Sequence, residues 1–495
     1  MSINRRNFIK NLTGGILLPA YSGLDLFSLG SKNPVFWVKG IPENPYYNGY
    51  RTNLHIGLDY LLYMLADKGI KFYRSKNENQ LAGPAGLIEP EDVVLIKVNA
   101  QWKYRGCTNS DLIRGLIERI LEHPDTFSGE IVIIENGQGR GSLKCDTQTN
   151  RNHYPDRSVH ANALNEKHSY TFLVDKVFND PRVSYYLLDP IRERFIDRQD
   201  HIANGYRLFG DVSYPCFTSI SGNRIEMKEG VWDGEKFKKN LKLINVPVLK
   251  HHDRGGSEIT GALKHFYGVV SMKDGNRFRH YRRLGETCAN MISNVRTPVL
   301  NIMDAIWVSH KVLQGYPDDI CFQTNQLMAS QDPVALDYCA AKYIMYPIDN
   351  NPRHHPKFSN IDRWLTAAQN FINASGGLED EKNGIQVGMV TKDEKQIRKI
   401  KGECNTFSVS GKVIYSDNNQ YRGETSGLKG IILGGLPGNP ETRSNGRYRV
   451  NIPANWKGII VPKSDCYRFD PPSRKIKSVS SDLKKINFKA IKLCS

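Results

Sequence analysis

None of the nine cysteines stands in a C-x-x-C pair. That sets aside a thioredoxin-type site and the tightly spaced iron–sulfur motifs. Nine is odd, so at least one thiol has no intramolecular partner, and in a chain of 495 residues a disulfide framework is not expected. Beyond the N-terminal stretch no run of about 18 apolar residues occurs, so no membrane-spanning helix is expected. Zinc-finger, RNA-recognition and basic-zipper patterns are missing, which argues against a nucleic-acid partner. The spaced dinucleotide fingerprint is lacking too. ENGQGRG at 135–141 places its glycines as G-x-G-x-G, and the segment after it does not read as the helix that would hold a pyrophosphate. A tight turn after a strand is the simpler reading, with Glu135 at the strand end. Acidic residues are in deficit, 51 against 68 basic ones, for a net charge of +17. Such a field attracts anions: nucleic acid, anionic headgroups or acidic sugars.

What is present is enough apolar residue to bury a core, 39%, with 10% aromatic. Basic residues are spread widely, and the denser run SRKIKSVSSDLKKINFK at 473–489 reads as a solvated β face. The N-terminus, MSINRRNFIKNLTGGILLPA, sets Arg5 and Arg6 before Phe8, Ile9 and Lys10 and a mildly apolar stretch. It resembles a twin-arginine signal peptide, an address read by export machinery and not an anchor. The expected location is periplasmic or exported.

Residues 92–99, DVVLIKVN, form a continuous apolar run suited to a buried parallel strand. NSDLIRGLIERILE at 109–122 has its apolar residues at the spacing of one helix face, with Asn109 or Ser110 as cap. EIVIIE follows as a second strand, completing a βαβ unit. A helix is predicted over 167–179, strands over 183–188, 241–249 and 298–303, and a helix over 332–346 with Asp332 as N-cap and Pro333 at its first position. After residue 404 the texture turns to short alternating strands bounded by Gly, Asn and Pro. The expected fold is α/β, a mainly parallel sheet core of βαβ units, plus a small C-terminal all-β sandwich. The expected divisions are a signal segment at 1–31, the α/β domain at 32–403 and the β module at 404–495.

Chemistry concentrates in NVPVLKHHDRGGSEITGALKHFYGVV, 245–270. Lys250, His251 and His252 close a strand, Gly255, Gly256 and Gly261 let backbone approach a ligand, and Lys264 and His265 follow. With Thr260 as cap, Lys264 would occupy the first turn of a helix, where the dipole disfavours a cation and lowers its pKa. That suits nucleophilic or Schiff-type chemistry. His280 follows in RFRHYRR, flanked by Arg277, Arg279, Arg282 and Arg283. Lys97, Lys250, Arg105 and Arg279 are candidates for holding a substrate anion. Asp304 either faces the same edge or caps a turn, and Asp337 is expected to pair with a basic neighbour. NNPRHHPKF at 350–358 reads as an exposed loop with no metal assigned to its histidines.

VLIKVN at 94–99, NVPVLKHH at 245–252, GALKHFYGVV at 261–270, VLNIMDAI at 299–306 and MASQDPVALD at 328–337 carry a resemblance to the domain of unknown function 362 family, over roughly 90–345. The family often has Asn where His265 stands. SGKV at 410–413, SNGRYRVNIP at 444–453 and WKGIIVPKSDCYRFDPPSRK at 456–475 resemble carboxypeptidase-regulatory-like, transthyretin-like modules, which implies Tyr467, Phe469 and Pro471 as core and turn residues. A more remote similarity links 250–280 to nickel-pincer lactate racemases. It implies His251 or His252 as the proton-handling base, Lys264 as the covalent cofactor lysine beside Gly255, Gly256 and Gly261, and His280 as ligand to nickel or another transition metal. The resulting expectation is an exported enzyme, dependent on a cofactor or metal, performing redox or isomerase chemistry on a small anionic hydroxy acid or sugar acid. The alternative is a non-catalytic cell-envelope protein that binds acidic glycan.

Overall fold

The computed structural model describes residues 34–46, 55–138, 141–146, 156–188, 205–210, 212–252, 257–269, 283–317, 320–372, 385–389, 406–415, 426–436, 440–453, 458–477, 479 and 481–493. Two compact units emerge, the larger built around residues 55–390 and the smaller around 391–495. Residues 1–31, where a signal segment is expected, lie outside the described residues.

A ten-stranded sheet organises the larger unit. In chain order its strands are β1 (Val35–Lys39), β2 (Val93–Val98), β3 (Glu130–Glu135), β4 (Val183–Leu187), β5 (Leu241–Val246), β6 (Val248–His252), β7 (Glu258–Thr260), β8 (Leu300–Ser309), β9 (Cys321–Ser330) and β10 (Ile385–Met389). Their spatial order is β10-β1-β9-β8-β5-β2-β3-β4, with β6 pairing both β8 and β7. Strands β8, β5, β2, β3 and β4 are mutually parallel, while β9 runs antiparallel to both β8 and β1. β2 and β3 are buried along their whole length, as their unbroken apolar runs require. The fold is therefore α/β with a largely parallel sheet, and the smaller unit is all-β.

One topological feature positions everything that follows. From β2 the chain builds β3 and β4 outward on one side, then returns to lay β5 and β8 on the other. The order reverses between β2 and β5, so their carboxyl ends flank a switch point. In open α/β sheets such a point leaves a crevice that receives ligands.

Local sequence explains the flanking helices. Helix α1 (Ile56–Asp67) packs against β1 and β9. Helix α2 (Ser110–Leu121) starts where Asn109 accepts the Leu112 N–H at 3.0 Å. Helices α3 (Leu284–Asn294) and α5 (Asn360–Ile372) pack on one another. Between them in the chain, helix α4 (Pro333–Ala340) has Asp332 capping Val334 and Ala335 at 2.8 and 3.1 Å, with Pro333 at its first position. The predicted helix over 332–346 breaks into α4 and a π-type segment, Ala341–Met345. That over 167–179 is reduced to Tyr170–Phe172 and another π-type segment, Leu173–Phe178. A five-stranded antiparallel sheet between β4 and β5, from Tyr206–Phe209 to Phe237–Lys238, was not legible in the sequence. Its strands are short, and only a few side chains, among them Tyr214, Phe217, Ile225 and Val231, reach the core.

The smaller unit holds a five-stranded and a three-stranded sheet. Strand Thr406–Tyr415 pairs with Arg447–Pro453, Phe488–Lys492 and Ser426–Gly427. Val409, Val413, Leu433, Tyr448, Ile452, Ile460 and Phe488 form its core, with Tyr467 and Phe469 packed against it. The resemblance places both aromatics there.

A buried ion pair joins α1 to α2. Arg119 Nε lies 2.6 Å from Asp59 Oδ1, with both side chains almost wholly buried, and Arg119 also reaches Glu122 at 3.1 Å. Removing one member leaves the other charge without its partner in the interior, which costs roughly 3–5 kcal/mol. Arg119→Met should destabilise the larger unit by about that amount in denaturant unfolding, and Asp59→Asn/Arg119→Met together should cost less than Arg119→Met alone.

Candidate functional site

Lys97, at the end of β2, is a lysine with no solvent exposure. Burying an ammonium is tolerated only when its donors are matched. Its Nζ donates to the Val98 carbonyl at 2.7 Å, to the Glu135 carboxylate and to His265 Nε2, which lies 3.0 Å away. Glu135 ends β3, and His265 stands in a short 3-10 turn, Lys264–Gly268. Register sets one row: Lys97 pairs with Asn245 of β5, which pairs with Asn301 of β8, while Glu135 is the residue after Ile134, the Lys97 partner on β3.

The histidine tautomer follows from its neighbours. Asn245 Nδ2 donates to the Ala262 carbonyl at 3.0 Å and to Asn301 Oδ1 at 2.8 Å. Both amide hydrogens are thus used, and its Oδ1 accepts the His265 Nδ1 proton at 2.6 Å. That leaves a lone pair on Nε2 to face Lys97. Burial, then the nearby lysines, hold His265 well below the usual imidazole range, so it is neutral. Asn301 in turn donates to the Ser330 carbonyl at 3.1 Å. A polar chain therefore crosses four strands, from Glu135 through Lys97, His265 and Asn245 to Asn301.

Lys250 of β6 approaches the same edge. Its Nζ donates to the Gly106 carbonyl at 2.5 Å. Burial pulls its ammonium down to about 7, and the ammonium of Lys264 pushes it the same way. Glu135 moves in the opposite direction: burial raises its carboxyl to about 7 against the pull of Lys97 and Lys250. An acid and a base that both titrate near neutrality occupy one buried neighbourhood, the condition general acid–base chemistry needs.

Two cysteines far apart in sequence also meet here. Cys107 Sγ donates to the Tyr104 carbonyl at 3.2 Å, with Cys145 close enough to influence its thiol. Burial would raise Cys107, but Cys145, the backbone of Asn162 and Lys250 bring it below its ordinary value. All the described cysteines are free.

The other expected residues distribute as follows. His251 follows Lys250 on an extended strand, so it points to the opposite face. There its Nδ1 lies 2.8 Å from His354 Nε2, and His354 Nδ1 is 3.6 Å from Asp349. The exposed loop expected at 350–358 is thereby corrected for His354, which is completely buried; the partner imidazole from β6 compensates its desolvation. His252 shares the Lys250 face by alternation and is paired in register with Glu258. Gly261 packs on the Asp337 carboxylate, which a Cβ there would overlap. Asp337 was expected to pair with a basic neighbour; instead it accepts the N–H groups of Ala262 and Leu263 at 2.5 and 3.0 Å, and thus anchors the turn carrying Lys264 and His265. Asp304 accepts from Asn109 N at 2.7 Å and Ile306 N at 3.1 Å, fixing the start of α2. Arg105 donates to Asn162 at 3.0 Å. Thr260 belongs to β7, and the segment bearing Lys264 is too short for a dipole to act on it. Gly255, Gly256, Arg279 and His280 lie outside the described residues. Among the described residues, no group of three or more His, Cys, Asp and Glu side chains is arranged to hold a metal ion.

Asn245 and Asn301 did not stand out in the sequence. Their signal was available: each is a lone amide inside an apolar strand, in LKLINV and LNIM.

A buried amine–carboxylate–imidazole chain thus lies at the strand-order reversal of a largely parallel α/β sheet. Residues 221–342 match the family model described as a domain of unknown function (DUF362). The matched stretch holds Asn245, Lys250, Lys264, His265, Asn301 and Asp337, whereas Lys97 and Glu135 precede it. No curated protein matches the chain.

Gly268 marks how tightly the cluster is closed. A Cβ there would lie 2.5 Å from Lys97 Nζ and 3.0 Å from Glu135. Overfilling a packed site costs roughly 1–3 kcal/mol. Gly268→Ala should lower stability by about that much in chemical denaturation, and the loss should shrink in a Lys97→Ala background, where both the obstructing Nζ and the Cε, 2.8 Å from that Cβ, are gone.

Proposed function

We propose that this protein is an exported enzyme that takes a small anionic hydroxy acid or sugar acid at the β2–β5 switch point and moves protons on it, an isomerase-type reaction. The observation that carries the reading is the contact of Lys97 with Glu135 and His265, with Lys250 and Lys264 within electrostatic reach of that cluster. Amines outnumber carboxylates, and a substrate carboxylate would restore the balance. Lys250 and Lys264, beside one another, are the partners proposed for that anion. Glu135 and Lys250 supply the acid and base near neutral pH. The reading needs no step through a metal.

An anion beside an amine favours its charged form. Binding should therefore be stronger below the Lys250 value of about 7 than above it. Thermal melts with millimolar gluconate or lactate are expected to show a larger stabilisation at pH 6 than at pH 8.5. The increment should fall at least several-fold in Lys264→Met. Equal shifts at both pH values, or in the variant, would remove the basis of the reading.

Export rests on Arg5 and Arg6 of the N-terminal segment, and implies the twin-arginine machinery as a transient partner. Replacing both with Lys should strand the protein in the cytoplasm on cell fractionation.

The net charge of +17 favours a second reading, a non-catalytic envelope protein binding acidic glycan through its surface. Glycan retention that is lost in salt but unchanged in Lys250→Met and Lys264→Met would select it.

A further inference from the structure

Lys103, beyond the end of β2, is a second lysine with no solvent exposure. Its Nζ donates to the Asp156 carbonyl at 3.1 Å, to Asp156 Oδ1 at 2.8 Å and to the Ser158 carbonyl at 3.0 Å. Three donors thus meet three acceptors, all from one exposed stretch that follows β3. Tyr104 holds the other end of that stretch. Its N–H donates to the His160 carbonyl at 2.8 Å, and its ring stacks on the His160 ring with centroids 4.2 Å apart. Its backbone sits in the left-handed region, at φ 51°. A tyrosine kept in that conformation stores strain, which persists only where the surroundings impose it. A buried cation and a strained tyrosine therefore fix Ser158 and His160, although Ser158 is exposed to solvent.

The two side chains belong to a hydrogen-bonded series. Ser158 Oγ lies 2.7 Å from His160 Nε2, and His160 Nδ1 lies 2.6 Å from Glu166 Oε2. A carboxylate only accepts, so Nδ1 carries the proton, and in the neutral ring Nε2 presents its lone pair to the serine hydroxyl. A nucleophile, a base and an orienting carboxylate at such distances activate a hydroxyl. Asp156 Oδ1 is the competing acceptor, 2.5 Å from the same hydroxyl. It already takes Lys103 Nζ and, at 3.0 Å, the Ser158 N–H, so its two lone pairs are occupied.

We propose that Ser158 is a nucleophile acylated by small carboxylic esters, with His160 as its base and Glu166 as the positioning residue that orients the imidazole. The proposal goes beyond the anion-binding reading and shares no residue with it. In the step, Ser158 Oγ bonds to the ester carbonyl carbon while its proton passes to His160 Nε2. The bond from that carbon to the alkoxy oxygen then breaks, and the departing oxygen keeps the electron pair and takes the proton back from the imidazole. Serine plus ester gives acyl-serine plus alcohol, with no oxidant or reductant required. The Ser158 N–H is committed to Asp156 Oδ1 and does not serve the developing oxyanion. Oxyanion stabilisation is usually the largest contribution to acyl transfer, so the acyl-serine forms and is slow to hydrolyse.

The experiment incubates the full chain with a fluorophosphonate, in which phosphorus stands in for the acyl carbon and fluoride is the leaving group, and maps the label by peptide mass spectrometry. One dominant label on Ser158 is expected. Mapping in the wild-type protein needs no variant to fold. Labelling should slow at least tenfold in His160→Gly, since a positioned base contributes about 10²–10⁴-fold, and several-fold in Glu166→Gln. Free imidazole should restore labelling in His160→Gly, a recovery that the loss of a merely structural side chain would not show. With p-nitrophenyl acetate the wild-type chain should release p-nitrophenolate in a burst that prior fluorophosphonate treatment removes. No label on Ser158, labels scattered over other hydroxyls, or labelling unchanged in His160→Gly would overturn the proposal. A burst that survives the fluorophosphonate would overturn the assignment of esters as substrates.

Discussion

The fold at this edge is arranged around one buried ammonium. Lys97 is removed from water at the end of a central strand, and a lysine so placed must find three acceptors or lose its charge. The acceptors come from separate parts of the chain: its own strand end, the end of β3 and the short turn after β7. Each then needs its own support. His265 is fixed by Asn245, Asn245 by Asn301, and the turn by the Asp337 carboxylate. The need to satisfy one cation thus fixes the relative placement of β2, β3, β5, β8 and α4.

This arrangement also divides labour among the lysines. Lys97 is a positioning residue, with its hydrogens committed to the scaffold. Lys250 lies beside the same network, where burial and the nearby Lys264 ammonium weaken its hold on a proton. A carboxyl raised and an amine lowered toward the same pH is the pairing from which proton transfer at neutrality is built. Its location at the strand-order reversal agrees with the general behaviour of open α/β sheets.

His251 and His354 show how strand geometry separates sequence neighbours. Three consecutive nitrogen side chains, Lys250 to His252, suggest one cluster, but an extended strand turns alternate residues to opposite faces. His251 therefore meets His354 across a different packing layer.

Much of the scaffold was legible in the sequence. The apolar runs marked β2 and β3, the spacing marked α2, Asn109 and Asp332 were recognisable as caps, and the short alternating segments after residue 404 marked an all-β unit. These are local properties, set by side-chain period and capping chemistry. The stretch 245–270 also contains Asn245, Lys250 and His265, which the fold brings toward the end of β2. What only the tertiary structure decided was pairing at a distance. Lys97 with Glu135, Asn245 with Asn301, Cys107 with Cys145 and His251 with His354 depend on strand order and register, which no local pattern encodes. The roles of Asp304 and Asp337 as anchors for backbone N–H groups were hidden for the same reason, since a carboxylate's function is set by which donors the fold brings to it.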